Sequence, residues 1–200
     1  RDSWRYVRKW TAHLQQQWQF GRTRFTEGLP LNDTLIKYTK ERFDTCAAIG
    51  NSGGLLRSRA GPVIDEHDVV LRFNSAPTKT FEEFTGSKTT FRLLNRKSAD
   101  AMLEQPTPVL SPKKQLAKKA QQSPITLMWR AESYHYYGML RKKYPEDPLY
   151  LLAPELLIPL ITVYKTLMKR MEEEGVKWEG SQAAPTGFVG IAFLMQVCKS

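Results

Sequence analysis

From residue 45 onward the chain alternates short apolar runs with polar stretches of helical length, and this alternation limits its fold more than any other feature. It marks an α/β domain with a largely parallel sheet. Five strands are expected, at residues 45–49, 69–73, 89–94, 125–129 and 149–152. A helix is expected over 155–174, where Pro159 predicts a break or a late start. A last apolar helix follows Gly187. The stretch 105–124 is rich in Pro, Lys and Gln and reads as a long, mobile connection. Ahead of this pattern, Val7, Trp10, Leu14 and Trp18 recur at spacings of three and four, the stripe of a stem or packing helix. No internal repeat is present.

Composition sets bounds without choosing a function. Two hundred residues with 41% hydrophobic content suffice for one compact domain and are too few for two. No apolar run approaches the roughly 18 residues that span a bilayer, and the chain opens on Arg1, so any membrane anchor is expected to be absent from it. The net charge of +10 would draw a nucleic acid, an anionic lipid or a phosphate-bearing ligand equally well. The one basic cluster, Lys113, Lys114, Lys118 and Lys119, reads as a solvated face. Cys46 and Cys198 form no metal pattern and, on composition alone, read as buried thiols before a bridge. Asn32 opens a glycosylation sequon, a small pointer to a secretory lumen.

Three strands end alike. Ile49-Gly50 runs into Asn51, Phe73 into Asn74 and Leu94 into Asn95. Each apolar strand thus delivers an amide to its carboxyl end, the edge at which open parallel sheets bind ligands. Asparagine is also a good turn residue, and both readings stand. The turn Gly50-Asn51-Ser52-Gly53-Gly54 joins what reads as a buried strand to a helix. Its glycines permit positive φ and close backbone approach, and a helix start offers amides to phosphate. A second helix start lies at Pro185-Thr186-Gly187, where Thr186 is placed to cap the last helix and Gly187 leaves the amide edge open.

Longer stretches carry a family resemblance. The first is Cys46-Ala47-Ala48-Ile49-Gly50-Asn51-Ser52-Gly53-Gly54-Leu55. It is followed by the run from Gly61 to Thr78, then Phe81, then Gly86 to Asn95. Together these resemble the large sialylmotif of the eukaryotic sialyltransferases, with internal spacings intact over about fifty residues. The similarity is strongest to the β-galactoside α-2,6 branch and to the plant and algal sialyltransferase-like proteins. Pro185-Thr186-Gly187-Phe188 with Val197-Cys198 resembles the small sialylmotif. Leu127-Met128-Trp129, Tyr134-His135 and Leu149 to Pro154 are also similar to that family, so the likeness runs from about residue 43 to the end.

The resemblance implies a Rossmann-like, largely parallel sheet with flanking helices, a GT-A-like variant. Residues 1–42 would be a stem or packing region, and 43–200 the donor-binding part of a catalytic domain cut short at its carboxyl end. The implied reaction is transfer of sialic acid or a related acidic sugar from its CMP ester to a glycan hydroxyl, metal-independent and inverting. The implied setting is the Golgi lumen, with a membrane anchor outside this chain. Asn51, Asn74, Asn95, Thr186 and Gly187 match the family's donor contacts, and Cys46 and Cys198 its disulfide. The family's catalytic histidine lies beyond the small motif, and none of His13, His67 or His135 matches it, so no catalytic residue is expected here. The partners implied are a CMP-sugar donor and a glycan acceptor, with no cofactor, metal or nucleic acid.

One departure stands out. Pro185 occupies the place of a family serine, removing a hydroxyl and an N–H, which points toward another CMP-linked acid such as CMP-Kdo or a CMP-sugar-binding protein with little turnover. No Asp-x-Asp triplet offers a metal handle. Asp65, Glu66, His67 and Asp68 cluster before a strand and read as scaffold despite histidine's suitability as a base. A basic RNA-binding module is the rival class, but no RNP-like aromatic run, GXXG clamp or zinc knuckle supports it.

Overall fold

The computed structural model describes residues 43–106, 123–129, 133–152, 154–177 and 183–199. The stripe at residues 4–18, the Asn32 sequon, the Lys113–Lys119 cluster and most of the 105–124 connection lie outside these residues. Five strands form one sheet in the order β1-β2-β3-β4-β5. They are β1 (Cys46–Ile49), β2 (Val69–Phe73), β3 (Phe91–Leu94), β4 (Ile125–Met128) and β5 (Leu149–Leu151). Every neighbouring pair is parallel. All five carboxyl ends therefore lie on one edge.

The apolar runs become strands because both faces of the sheet are covered, so alternation with polar residues is unnecessary. Val69, Val70 and Leu71 of β2 are all fully buried. One face carries Val69, Leu71, Phe73, Phe91, Leu93, Ile125 and Leu127. It packs against helix α6 (Thr186–Val197), through Val189, Phe193, Leu194 and Val197, and against Leu157 of α5 (Pro154–Glu173). The Phe91 and Phe193 rings meet edge to face, 5.0 Å apart. On the other face lie α1 (Gly61–Glu66), packed on Ile49 and Val70, and the pair α3 (Arg96–Glu104) and α4 (Ser133–Lys143), packed on Met128 and Leu149. A short α2 (Glu82–Thr85) precedes β3. Buried Tyr137 donates to Leu149 O at 3.2 Å, tying α4 to β5, and burial pushes its phenol up to about 12.

Several expectations need correcting. Helix α5 runs unbroken through Pro159, which is exposed in its second turn. The missing hydrogen bond falls on the solvent side, while Leu157 and Tyr164 hold the inner face. Strand β1 is an edge strand with only Ile49 buried, since β2 is its sole neighbour in the sheet. After β1 the chain makes a 3₁₀ turn, Gly53–Arg57, before α1 begins. The strand order also never reverses among the described strands. Strand ends and a helix start therefore position the candidate site, with no crevice at a reversal of strand order.

Candidate functional site

The three asparagines meet along the carboxyl edge, linked through backbone. Asn51 Nδ2 donates to Phe73 O at 3.1 Å, reaching from the end of β1 to the end of β2. Asn74, the next residue, accepts at Oδ1 from Asn95 N at 2.9 Å, reaching from β2 to β3. Asn95 accepts at Oδ1 from Ser98 N at 2.9 Å and so caps α3. Because the backbone partner fixes which amide end it faces, each side chain has a defined orientation. Asn51 Oδ1, Asn74 Nδ2 and Asn95 Nδ2 find no partner among the described residues. One acceptor and two donors are left over at one sheet edge.

Helix α6 brings its start to the same edge. It runs antiparallel to the strands, with Gly190 seated so closely on Phe73 that an added Cβ would lie 2.4 Å from the ring. Its far end reaches the amino edge, where Cys198 is bonded to Cys46 at a Cα separation of 6.4 Å. Thr186 is not the cap; Pro185 is, with extended φ and ψ and no side-chain cap bond. Pro185 O accepts from Phe188 N and Val189 N, so the missing N–H costs the helix nothing. The Thr186 and Gly187 amides find no acceptor among the described residues. Nothing lies within 4 Å of a Cβ built at Gly50, Gly53 or Gly187.

The glycine turn works differently from expectation. None of Gly50, Gly53 and Gly54 has positive φ; of the residues at these strand ends it is Asn74 that does, at +54°. Ser52 Oγ accepts from Gly54 N at 3.1 Å and caps the 3₁₀ turn. Both asparagine readings therefore hold at once: Asn74 is a left-handed turn residue whose side chain ends at the edge.

Two arginines on β2 and β3 escaped the sequence reading. Arg72 is almost fully buried, donating to Lys88 O, Thr89 Oγ1 and Thr85 O at 3.0, 3.1 and 2.7 Å. Burial lowers its pKa, and the nearby Asp65 charge works the other way. Arg92 Nη1 donates to Asn74 O at 2.6 Å and reaches Ala76 O at 3.4 Å. A cation inside an otherwise apolar strand, as in Val70-Leu71-Arg72-Phe73, was the available signal.

The acidic cluster lies at the opposite edge. Asp65 accepts from Ser87 N, Lys88 N and Ser87 Oγ, all within 3.0 Å. Asp68 accepts from Asp44 N and Thr45 N at 3.1 and 3.0 Å. His67 caps the end of α1 with Nδ1 against Val63 O at 3.0 Å. The length of β2, on the order of 17 Å for five residues, separates them from Asn74. Among the described residues no group of three or more His, Cys, Asp or Glu is placed to hold a metal ion, and no helix is long and apolar enough to cross a membrane.

A parallel five-stranded sheet with helices on both faces defines an α/β fold, and solved structures share it. Superposition on a mammalian sialyltransferase crystallised with Gal-beta-1-3GalNAc-ortho-nitrophenol gives a TM-score of 0.60 at 20% identity, covering 97% of this chain and 69% of that one. The sequence then specifies the family. The model of glycosyltransferase family 29 (sialyltransferase) matches residues 1–200, and the chain belongs to that family. A beta-galactoside alpha-2,6-sialyltransferase 2 from Takifugu rubripes is 32% identical over 184 residues, 86% of this chain. Sialyltransferase-like protein 2 from Arabidopsis thaliana is 52% identical over 65 residues, 32% of this chain and 15% of its own length. The chain spans about a third of the length of the fish relative, 32%.

Proposed function

We propose that this chain is the donor-binding part of a sialyltransferase, which transfers an acidic sugar from its CMP ester to a glycan hydroxyl. Family membership supports the reaction class. The observation that carries the placement is the convergence of Asn51, Asn74 and Asn95 at one edge, each with one amide end committed to backbone. Two amide donors and one acceptor complement the oxygens, ring nitrogen and hydroxyls of a cytidine. The start of α6 at Thr186 and Gly187 suits the phosphate, because its amides are uncommitted and the helix dipole adds partial positive charge.

Amide and helix-dipole stabilisation of departing CMP, without metal, is the mechanism these groups would supply. We assign no general base in this chain. His67 is bonded to Val63 O at the opposite edge of the sheet from the asparagines, away from the candidate site. An inverting displacement requires a base that takes the proton of the acceptor hydroxyl. The setting we propose is the Golgi lumen, with the disulfide between Cys46 and Cys198 suited to an oxidising compartment. The alternative reading, prompted by Pro185 at the cap of α6, is a CMP-sugar-binding protein with little turnover or one that uses CMP-Kdo.

The test is Asn74→Gly, which keeps the left-handed backbone that alanine would strain. Loss of a ligand hydrogen bond should weaken CMP by about 1 to 3 kcal/mol in calorimetry. A folded Asn74→Gly variant with wild-type CMP affinity would remove the placement.

A further inference from the structure

Asn74 is held at three points. Its N–H donates to Leu93 O at 2.9 Å, its Oδ1 accepts from Asn95 N at 2.9 Å, and its carbonyl accepts from Arg92 Nη1 at 2.6 Å. The first two partners are backbone groups that any sequence would supply. The third is the one that depends on a particular side chain. The same Nη1 reaches Ala76 O at 3.4 Å, across a turn in which Ala76 N donates to Phe73 O at 3.3 Å. Phe73 O is also the acceptor for Asn51. One guanidinium therefore braces the turn on which Asn74 stands.

Stability alone does not account for this residue. Arg92 is half-buried, makes no ion pair among the described residues, and stands in register beside buried Arg72, a like charge. An apolar side chain of similar length would fill the space without desolvating a cation. We propose that Arg92 is a positioning residue for the donor site, holding the Asn74 peptide so that Asn74 Nδ2 points at the ligand. The inference rests on reading Asn74 as a donor contact.

The experiment is a double-mutant cycle on the protein, read by CMP calorimetry, thermal melting and the side-chain amide resonances of Asn74. Arg92→Met should weaken CMP about tenfold through loss of a charge-assisted bond. Arg92→Lys should recover most of this, since one ammonium can still donate to Asn74 O. In the Asn74→Gly background, Arg92→Met should change CMP affinity by less than about twofold, because the amide it acts through is gone. Should Arg92→Met not fold, Arg92→Gln takes its place. Unchanged affinity in the folded single variant, or the full tenfold loss in both backgrounds, overturns the proposal. If the wild-type protein itself does not bind CMP, the donor reading fails separately. The positioning role is then judged on the free protein: displacement of the Asn74 resonances in the Met variant and their return in Lys support it, and unmoved resonances overturn it.

Discussion

The two edges of the sheet use polar side chains in opposite ways. At the amino edge the acids are saturated by the fold: Asp65 accepts from two N–H groups and a hydroxyl, and Asp68 accepts from two N–H groups. Thr45 Oγ1 returns a bond by accepting from Asp68 N at 2.9 Å. The Cys46–Cys198 disulfide, the Phe43–Cys198 bridge and the Lys199–Asp44 ion pair close the same edge. At the carboxyl edge each asparagine gives only one end of its amide to the backbone. Carboxylates and His67, usual markers of a catalytic centre, are bound into the amino edge, whereas amides with one uncommitted end line the carboxyl edge, where we propose that donor binds.

If the edges differ in this way, amino-edge changes should cost stability and carboxyl-edge changes should cost CMP binding. The largest effect belongs to the disulfide, whose cysteines are 152 residues apart. The chain-entropy relation puts the bridge near 5 kcal/mol at the upper end. Replacing both cysteines by alanine should lower the denaturation midpoint sharply, and a midpoint within experimental error of wild type would break the comparison at its strongest point. Next comes Gly190→Ala, which ties the edges together. Its Cβ would meet the Phe73 ring, so repacking should cost about 1 to 3 kcal/mol. Because α6 would shift over the residue before Asn74, CMP affinity should fall as well, measured by calorimetry on the folded fraction.

Asp65→Asn should cost about 2 kcal/mol by turning an amide toward N–H donors, with CMP affinity unchanged in the folded protein. Burial acts to raise the Asp65 pKa, but donation from Ser87 and Lys88 outweighs it and holds the carboxyl below its ordinary range. Its contribution is therefore complete above the unfolded value of about 3.9 and is lost as pH falls through the lower folded value. Acid unfolding followed by circular dichroism should show a shallower slope in Asp65→Asn than in wild type. The smallest effect lies in the loop after Asn74. Thr80 has φ of +73°, a strained angle for a β-branched residue. Thr80→Gly should raise stability by about 0.5 kcal/mol in urea titration, the strain relieved exceeding the added entropy of the unfolded chain. A loss of stability there would show that contacts of the threonine side chain outweigh the strain.

Much of this was legible from residues alone. The apolar runs located all five strands to within two residues, because strands covered on both faces have no polar alternation to hide them. The resemblance in 46–95 and 185–198 pointed to the family and to the cysteine pair, which composition had left as thiols. What the sequence could not determine was which polar groups the fold would consume. Asp65 and Asp68 look reactive in a row of letters, and only the parallel crossovers that bring 87–88 and 44–45 beside them supply their donors, while His67 is taken up locally by Val63 O. Pro159 predicts a break, and packing of Leu157 and Tyr164 overrides it. Arg92 is an unremarked cation in Phe91-Arg92-Leu93 until register sets its guanidinium on the carbonyl of Asn74. Local chemistry specified the strands and their asparagine ends; tertiary packing decided which amides remained uncommitted, because satisfaction of a polar group depends on partners that are distant in sequence.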